Sequence, residues 1–295
     1  MFMKVDEFAY GSERLIDPIE VGKVHYLQKY LRILPKSWQR KIITSASKKT
    51  PKMGFVVEPY AFFLFYEIED LEKINSLLPD GFEVTKSRVF EGDKERYYGI
   101  VSIFRLHTGT FWGARSEFYV VARNVKTGLM SWVILDYVSD TISYDKKHGL
   151  RSAEAKRAVI TTTCEGKLLT DIANCTDGRR VACEANLANY KPKTLDEKLW
   201  IEGNTSIAYG REIANDGDLF SLTFMPEEML EAWEIPLEDV KVEEVSWYPE
   251  ALGGKLAQAA CFPFAQHMLA DSPGTSTFYG SKSALRKAAE STKFN

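Results

Sequence analysis

Two short segments carry side chains whose types and spacing could do chemistry. In Ser143-Tyr144-Asp145-Lys146-Lys147-His148-Gly149-Leu150, two lysines adjoin just after the apolar run Trp132 to Val138. A free lysine is an ammonium at neutral pH and cannot attack a carbonyl. Burial in an apolar pocket lowers its pKa by up to ~3–5 units. A second ammonium about 5 Å away adds roughly 3 kcal/mol at an effective dielectric of ~20, or about two further units. Adjacent lysines can therefore supply a neutral amine able to form a Schiff base. Neighbouring side chains of a regular strand point to opposite faces, so both amines reach one pocket only if the backbone turns or bulges, which Gly149 permits. A solvated loop is the ordinary alternative for such a pair.

The second segment is Gly113-Ala114-Arg115-Ser116-Glu117-Phe118-Tyr119-Val120-Val121-Ala122-Arg123-Asn124. Period-two alternation puts Arg115, Glu117, Tyr119 and Arg123 on one face and Phe118, Val120 and Ala122 on the other. A carboxylate with an arginine two residues away can transfer protons with its charge set by that arginine. The same alternation also describes a polar stripe turned to water on a half-exposed sheet.

Other chemistries lack their signatures. The histidines His25, His107, His148 and His267 are widely separated and form no HxH or HExxH, so no metal is expected. GxGxxG, GxxxxGK[ST] and GxSxG are missing, which argues against the common phosphate loops and the α/β-hydrolase elbow. The 295 residues carry 38 Lys plus Arg against 41 Asp plus Glu, a net charge of −3, without the positive excess of a nucleic-acid binder. No apolar run approaches the ~18 residues of a membrane span; Ala61 to Tyr66 is the best candidate. Cys164, Cys175, Cys183 and Cys261 include no CxxC and read as buried free thiols. The first residues, Met1 to Glu7, show no signal pattern, so the expected location is cytoplasmic.

Several elements must position the two segments. Residues 1–53 form a basic arm in which Val24, Leu27, Tyr30, Leu31 and Leu34 recur at helical spacing before Pro35, with a second short helix around Trp38 to Ile43. Such an arm reads as a helix docked on the main body with its lysines in water; contact with a partner subunit or an anionic surface is the other use open to it. Strands are expected at Phe55 to Val57, Tyr60 to Tyr66, Tyr97 to Phe104, Phe118 to Arg123, Leu129 to Tyr137, Ala158 to Thr163, Arg180 to Ala188, Thr205 to Tyr209, Leu219 to Phe224 and Val240 to Val245. Asn124 to Gly128 joins two of them as a hairpin. Asp70 caps a helix carrying Leu71, Ile74, Leu77 and Leu78, stopped by Pro79-Asp80-Gly81; a further helix is expected at Glu227 to Ala232. Residues 54–270 are the main domain, and 271–295 read as a flexible tail. The fold class is α+β but mainly β, an antiparallel sheet system curled into a barrel or a sandwich with few helices.

Taken in order, these segments resemble the acetoacetate decarboxylase superfamily. Leu77-Leu78-Pro79-Asp80-Gly81-Phe82-Glu83 is similar to that family's LLP-x-G-x-E, and Gly113 with Ser116-Glu117 to its Gly…Tyr-x-Glu strand. Tyr144-Asp145-Lys146-Lys147-His148-Gly149 resembles its Tyr-Pro-Lys-Lys-x-Gly, with Asp145 in place of proline. Val181 to Ala185 followed by Leu195-Asp196 resembles its strand and lysine-x-Leu-Asp loop. The similarity spans about residues 55 to 250 and leaves the N-terminal arm outside.

The resemblance implies a small, closed or cone-shaped antiparallel β-barrel with helices outside, assembled into homo-oligomers and needing no metal or organic cofactor. It implies Lys146 as the Schiff-base lysine, Lys147 as the neighbour that lowers its pKa, and Glu117 as the pocket carboxylate. The family's arginine before the first aromatic strand has no counterpart, Glu58-Pro59-Tyr60 standing there, so Arg115 and Arg105 become the candidate cations for a substrate carboxylate. Tyr119 shares the strand face of Arg115 and Glu117, and Phe62, Phe104 and Trp132 are candidates to line the cavity. The implied activity is that of a lyase acting on a small keto acid, by decarboxylation or by aldolase-dehydratase chemistry. Two rival readings are a noncatalytic barrel holding a small apolar metabolite, and an interaction protein recruited through its basic arm.

Overall fold

The computed structural model describes residues 2–31, 33–39, 41, 52–109, 112–141, 143–145, 149–151, 154–214, 219–247, 252–271 and 279–294. In chain order the first elements are α1 (Phe2–Arg14), α2 (Pro18–Leu31), β1 (Lys52–Val57), β2 (Ala61–Ile68), α3 (Leu71–Leu77), β3 (Phe82–Val84), β4 (Tyr98–Thr108), β5 (Trp112–Asn124) and β6 (Met130–Ser139). There follow β7 (Ser143–Asp145), β8 (Gly149–Arg151), β9 (Ala155–Thr162), β10 (Lys167–Asn174), β11 (Arg180–Asn186), β12 (Lys191–Thr194) and β13 (Ile207–Tyr209). The last are β14 (Leu222–Phe224), β15 (Glu231–Glu234), β16 (Val240–Val245), β17 (Leu252–Phe262), β18 (Gln266–Asp271) and α4 (Lys282–Ser291).

The long strands β4, β5 and β6 form the centre, antiparallel throughout. One edge of β4 is taken by β5, and the other is divided between β2, which pairs with its first half, and β1, which pairs with its end. Beyond β2 lie β17, β15 and β12; beyond β1 lie β18 and β14. A separate four-stranded sheet runs β16-β11-β10-β9. Among the described residues no sheet closes on itself, so the closed barrel expected from the resemblance is not formed there; the two sheets stack as layers.

The stacking explains the composition of the central strands. One face of the large sheet, with Leu64, Val101, Ile103, Phe118 and Val120, packs against Ile160, Leu168, Ile172 and Val181 of the small sheet. The opposite face, with Phe65, Ile100, Val121, Trp132 and Ile134, packs against Leu199, Trp200, Ile201 and Leu285. Every residue of β6 is buried, so it reads as a continuous apolar run rather than an alternation.

Local chemistry fixes the turns. Asp70 caps α3 by accepting from the Lys73 amide at 2.9 Å. Asn124 Oδ1 accepts the Lys126 and Thr127 amides, and Gly128 takes the left-handed conformation (φ 75°) that closes the β5–β6 hairpin.

Several elements differ from expectation. Residues 226–229 make one 3₁₀ turn and then β15, where a helix over 227–232 was expected, because Ala232 is needed in the core between strands. Helix α4 occupies 282–291 of the expected flexible tail, capped by Ser281 and seated through the buried Leu285 and Ala289. Helix α1, which was not expected, packs on β1 and β18, with Phe8 buried against Leu269 of β18. In α2, Leu27 and Tyr30 are exposed rather than docked. Of the four cysteines, Cys183 and Cys261 are buried free thiols as expected, whereas Cys164 and Cys175 are exposed.

Candidate active site

The site is a row of side chains crossing the large sheet. Strand register sets Phe63 opposite Ser102, Ser102 opposite Glu117, and Glu117 opposite Tyr137. Phe104 stands opposite Arg115, and Ile100 opposite Tyr119. The pairing of β5 with β6 shifts between Phe118 and Tyr119, where Leu135 is left without an opposite residue. That bulge returns Tyr137, Ile134 and Trp132 to the face of Glu117 and Tyr119.

Glu117 is the hub. Its Oε1 accepts from Arg115 Nε and its Oε2 from the Tyr119 hydroxyl. Its side chain is 7% exposed and that of Arg115 13%, so the pair is nearly dry. The Arg115 guanidinium also lies 3.9 Å over the Tyr137 ring and donates from Nη1 to Ser143 Oγ at 3.0 Å. Burial works against the charge on Arg115, yet Glu117 foremost, then Tyr137 and Tyr209, raise its pKa overall. Arg115 thus stays a cation in a low-dielectric setting, where its ion pair is strong and costly to break.

Aromatic rings wall the cluster. Trp132 meets Tyr119 edge-on at 5.0 Å and lies 5.3 Å from Trp200; Phe63 meets Trp200 at 5.2 Å and Phe262 at 5.6 Å. The indole nitrogens are both satisfied, Trp132 by the Leu199 carbonyl and Trp200 by the Val89 carbonyl. Gly203 lies directly against the Trp132 ring, leaving no space for a β-carbon. Asp196, from the Leu195-Asp196 motif, accepts the Leu199 amide at 3.1 Å and the Arg88 guanidinium at 2.6 Å, anchoring the turn that carries Trp200.

The structure therefore joins Arg115, Glu117, Tyr119, Phe104 and Trp132 on one face, with Glu117 buried and Arg115 and Tyr119 partly buried, while Arg123 at the end of the stripe is exposed and pairs with Glu83. Two expected residues fall elsewhere. Phe62 points to the face packed on the small sheet, leaving Phe63 beside Ser102. Arg105 alternates to the face opposite Arg115, where Asp140 feels its charge. Lys146 and Lys147 lie outside the described residues; β7 and β8 pair on either side of them, with Asp145 opposite Gly149. Sequence reasoning missed Phe63, Tyr137, Ser143, Trp200 and Phe262. Only Phe63 had a usable signal, the parity of β2 relative to β4.

Among the described residues, no three His, Cys, Asp or Glu side chains converge as metal ligands, and no helix is long and apolar enough to cross a membrane.

The sequence matches no family model and no curated protein. Among solved structures, the chain is similar to an acetoacetate decarboxylase from Legionella pneumophila subsp. pneumophila str. Philadelphia 1. The two are 12% identical, and the match covers 74% of this chain and 86% of that one at a TM-score of 0.45.

Proposed function

We propose that this protein is an acetoacetate decarboxylase-like enzyme acting on a small keto acid through a Schiff base at Lys146, with no organic cofactor. The observation that carries the reading is the contact of Arg115 with both Glu117 and Ser143, the latter three residues before Lys146. The cation, carboxylate and phenol are thereby tied to β7, the strand that ends just before the lysine pair in the sequence.

In this reading, Lys147 and the aromatic wall keep the Lys146 amine neutral. The amine adds to the substrate ketone and water leaves, giving a protonated imine. The bond to the carboxylate breaks, its electron pair passing into the imine to give an enamine as CO2 departs. The enamine carbon takes a proton, and water hydrolyses the imine to release the ketone and regenerate the amine. Glu117 and Tyr119 form the relay available for these proton transfers. Arg115 retains N–H groups beyond those given to Glu117 and Ser143, and these can orient a carboxylate. Assembly into homo-oligomers belongs to the same reading and is checked by light scattering.

Borohydride trapping with β-keto acids, followed by peptide mass spectrometry, tests the chemistry. A reduced adduct on Lys146, lost in Lys146→Ala, is the expected result. Absence of an adduct, with an apolar ligand co-purifying from wild type, would replace the enzyme by a noncatalytic binder.

A further inference from the structure

A second constellation lies away from the candidate active site, where α1 crosses the large sheet. Val56 of β1 is in register with His107 of β4 on one side and His267 of β18 on the other. The two imidazoles therefore flank Val56 on one face of the sheet. Gly54 shares that face, and a β-carbon there would come within 2.5 Å of the Ser12 carbonyl, so glycine lets α1 press close. Glu13, near the end of α1, reaches over Val56 to both rings, 3.4 Å from His107 Nε2 and 3.4 Å from His267 Nε2. Each ring has its own carboxylate behind it: Glu58 is 2.9 Å from His107 Nδ1, and Glu228 is 2.8 Å from His267 Nδ1. Glu228 also accepts the His267 amide at 2.8 Å.

Proton counting decides what this chain of five groups needs. A neutral imidazole has one N–H and can serve only one of the two carboxylates it faces, leaving a lone pair against the other. With both rings protonated, all four ring nitrogens donate, and three carboxylates meet two cations. With both neutral, three negative charges share a partly buried space. We propose that Glu58–His107–Glu13–His267–Glu228 is a proton-operated latch that holds the N-terminal helix on the sheet and releases it as pH rises.

The other charges around it are accounted for: Lys4 of α1 pairs with Glu290, Arg14 stacks on Tyr10, and Glu227, beside Glu228, is held by Arg286. At His267 burial opposes the charge, but Glu228 and Glu13 outweigh it and raise the pKa above its ordinary 6.5. A group whose pKa is raised on docking contributes in full below its free value and loses that contribution as pH climbs through the docked value. The arm continues into α2, whose His25 Nε2 lies 3.0 Å from Thr141 Oγ1, two residues before Ser143. Release of α1 would thus loosen a tether next to the candidate active site.

Hydrogen exchange of the full chain from pH 5.5 to 9.5, each rate divided by the intrinsic rate at that pH, tests the latch without reference to catalysis. Protection over residues 2–14 should fall by about tenfold as pH rises through the docked pKa of His267, which lies above its free value, while β4 and β5 stay unchanged. Glu13→Gln and His267→Gln should flatten that step. Phe8→Ala, which removes the apolar anchor, should lower protection at every pH and leave the step where it was. A flat wild-type profile, or an unchanged step in both Glu13→Gln and His267→Gln, would overturn the proposal.

Discussion

The two faces of β5 are made by alternate residues of one strand and do different work. Ser116, Phe118, Val120 and Ala122 turn to the small sheet and fill a layer whose content is apolar volume. Arg115, Glu117 and Tyr119 turn the other way and form a charged, hydrogen-bonded cluster walled by aromatic rings. Exposure separates them only in part: Ser116, Phe118, Val120 and Ala122 are fully buried, whereas Arg115 and Tyr119 are partly buried beside the buried Glu117. What differs is how each tolerates change. A hydrophobic layer loses stability in proportion to the atoms removed and the cavity left. A buried ion pair loses most when half of it is removed, because the surviving charge has neither water nor a partner.

That contrast can be broken experimentally. The largest effect is expected from Glu117→Ala, which strands Arg115 and should cost about 3–5 kcal/mol of unfolding free energy by urea titration. The double variant Arg115→Met, Glu117→Leu should recover most of that stability while borohydride trapping stays abolished. If the double variant is as unstable as the single one, the pair is not what makes this face sensitive. On the apolar face, Phe118→Ala should also cost about 3–5 kcal/mol, yet the protein that remains folded should still trap substrate. Loss of trapping in folded Phe118→Ala would erase the division between the faces. A smaller change, Tyr119→Phe, deletes one hydrogen bond to a charged group and should cost about 1.5–3 kcal/mol while lowering turnover more than substrate affinity; an unaltered turnover number would remove Tyr119 from the relay.

Much of the scaffold was legible in the sequence because its signals are local. The Asp70 cap, the Asn124 to Gly128 turn and the alternation in β5 each depend on groups a few residues apart. Among the strands that escaped notice, β18 has no β-branched residue and no Phe, Tyr or Trp, and β17 has only Phe262. Within β17, Ala259 and Ala260 stand opposite Leu64 and Phe63 of β2 and pack into opposite layers, and such small residues carry little strand signal. The helix expected at 227–232 failed for a related reason: a short apolar run suits a buried strand as well as a helix.

The sequence by itself determined which side chains share a face, because a strand's period of two is a property of the backbone. It could not say whether that face meets water or another layer, and so Arg115 and Glu117 fitted a solvent stripe as well as a buried site. Tertiary structure decided this by bringing Trp200 over the sheet beside Phe262 of β17, and it decided the parity that selects Phe63 over Phe62. It also assembled Glu13, His107 and His267, separated by 94 and 160 residues along the chain. Contacts of that span follow from how strands and layers close in space, and no local pattern encodes them.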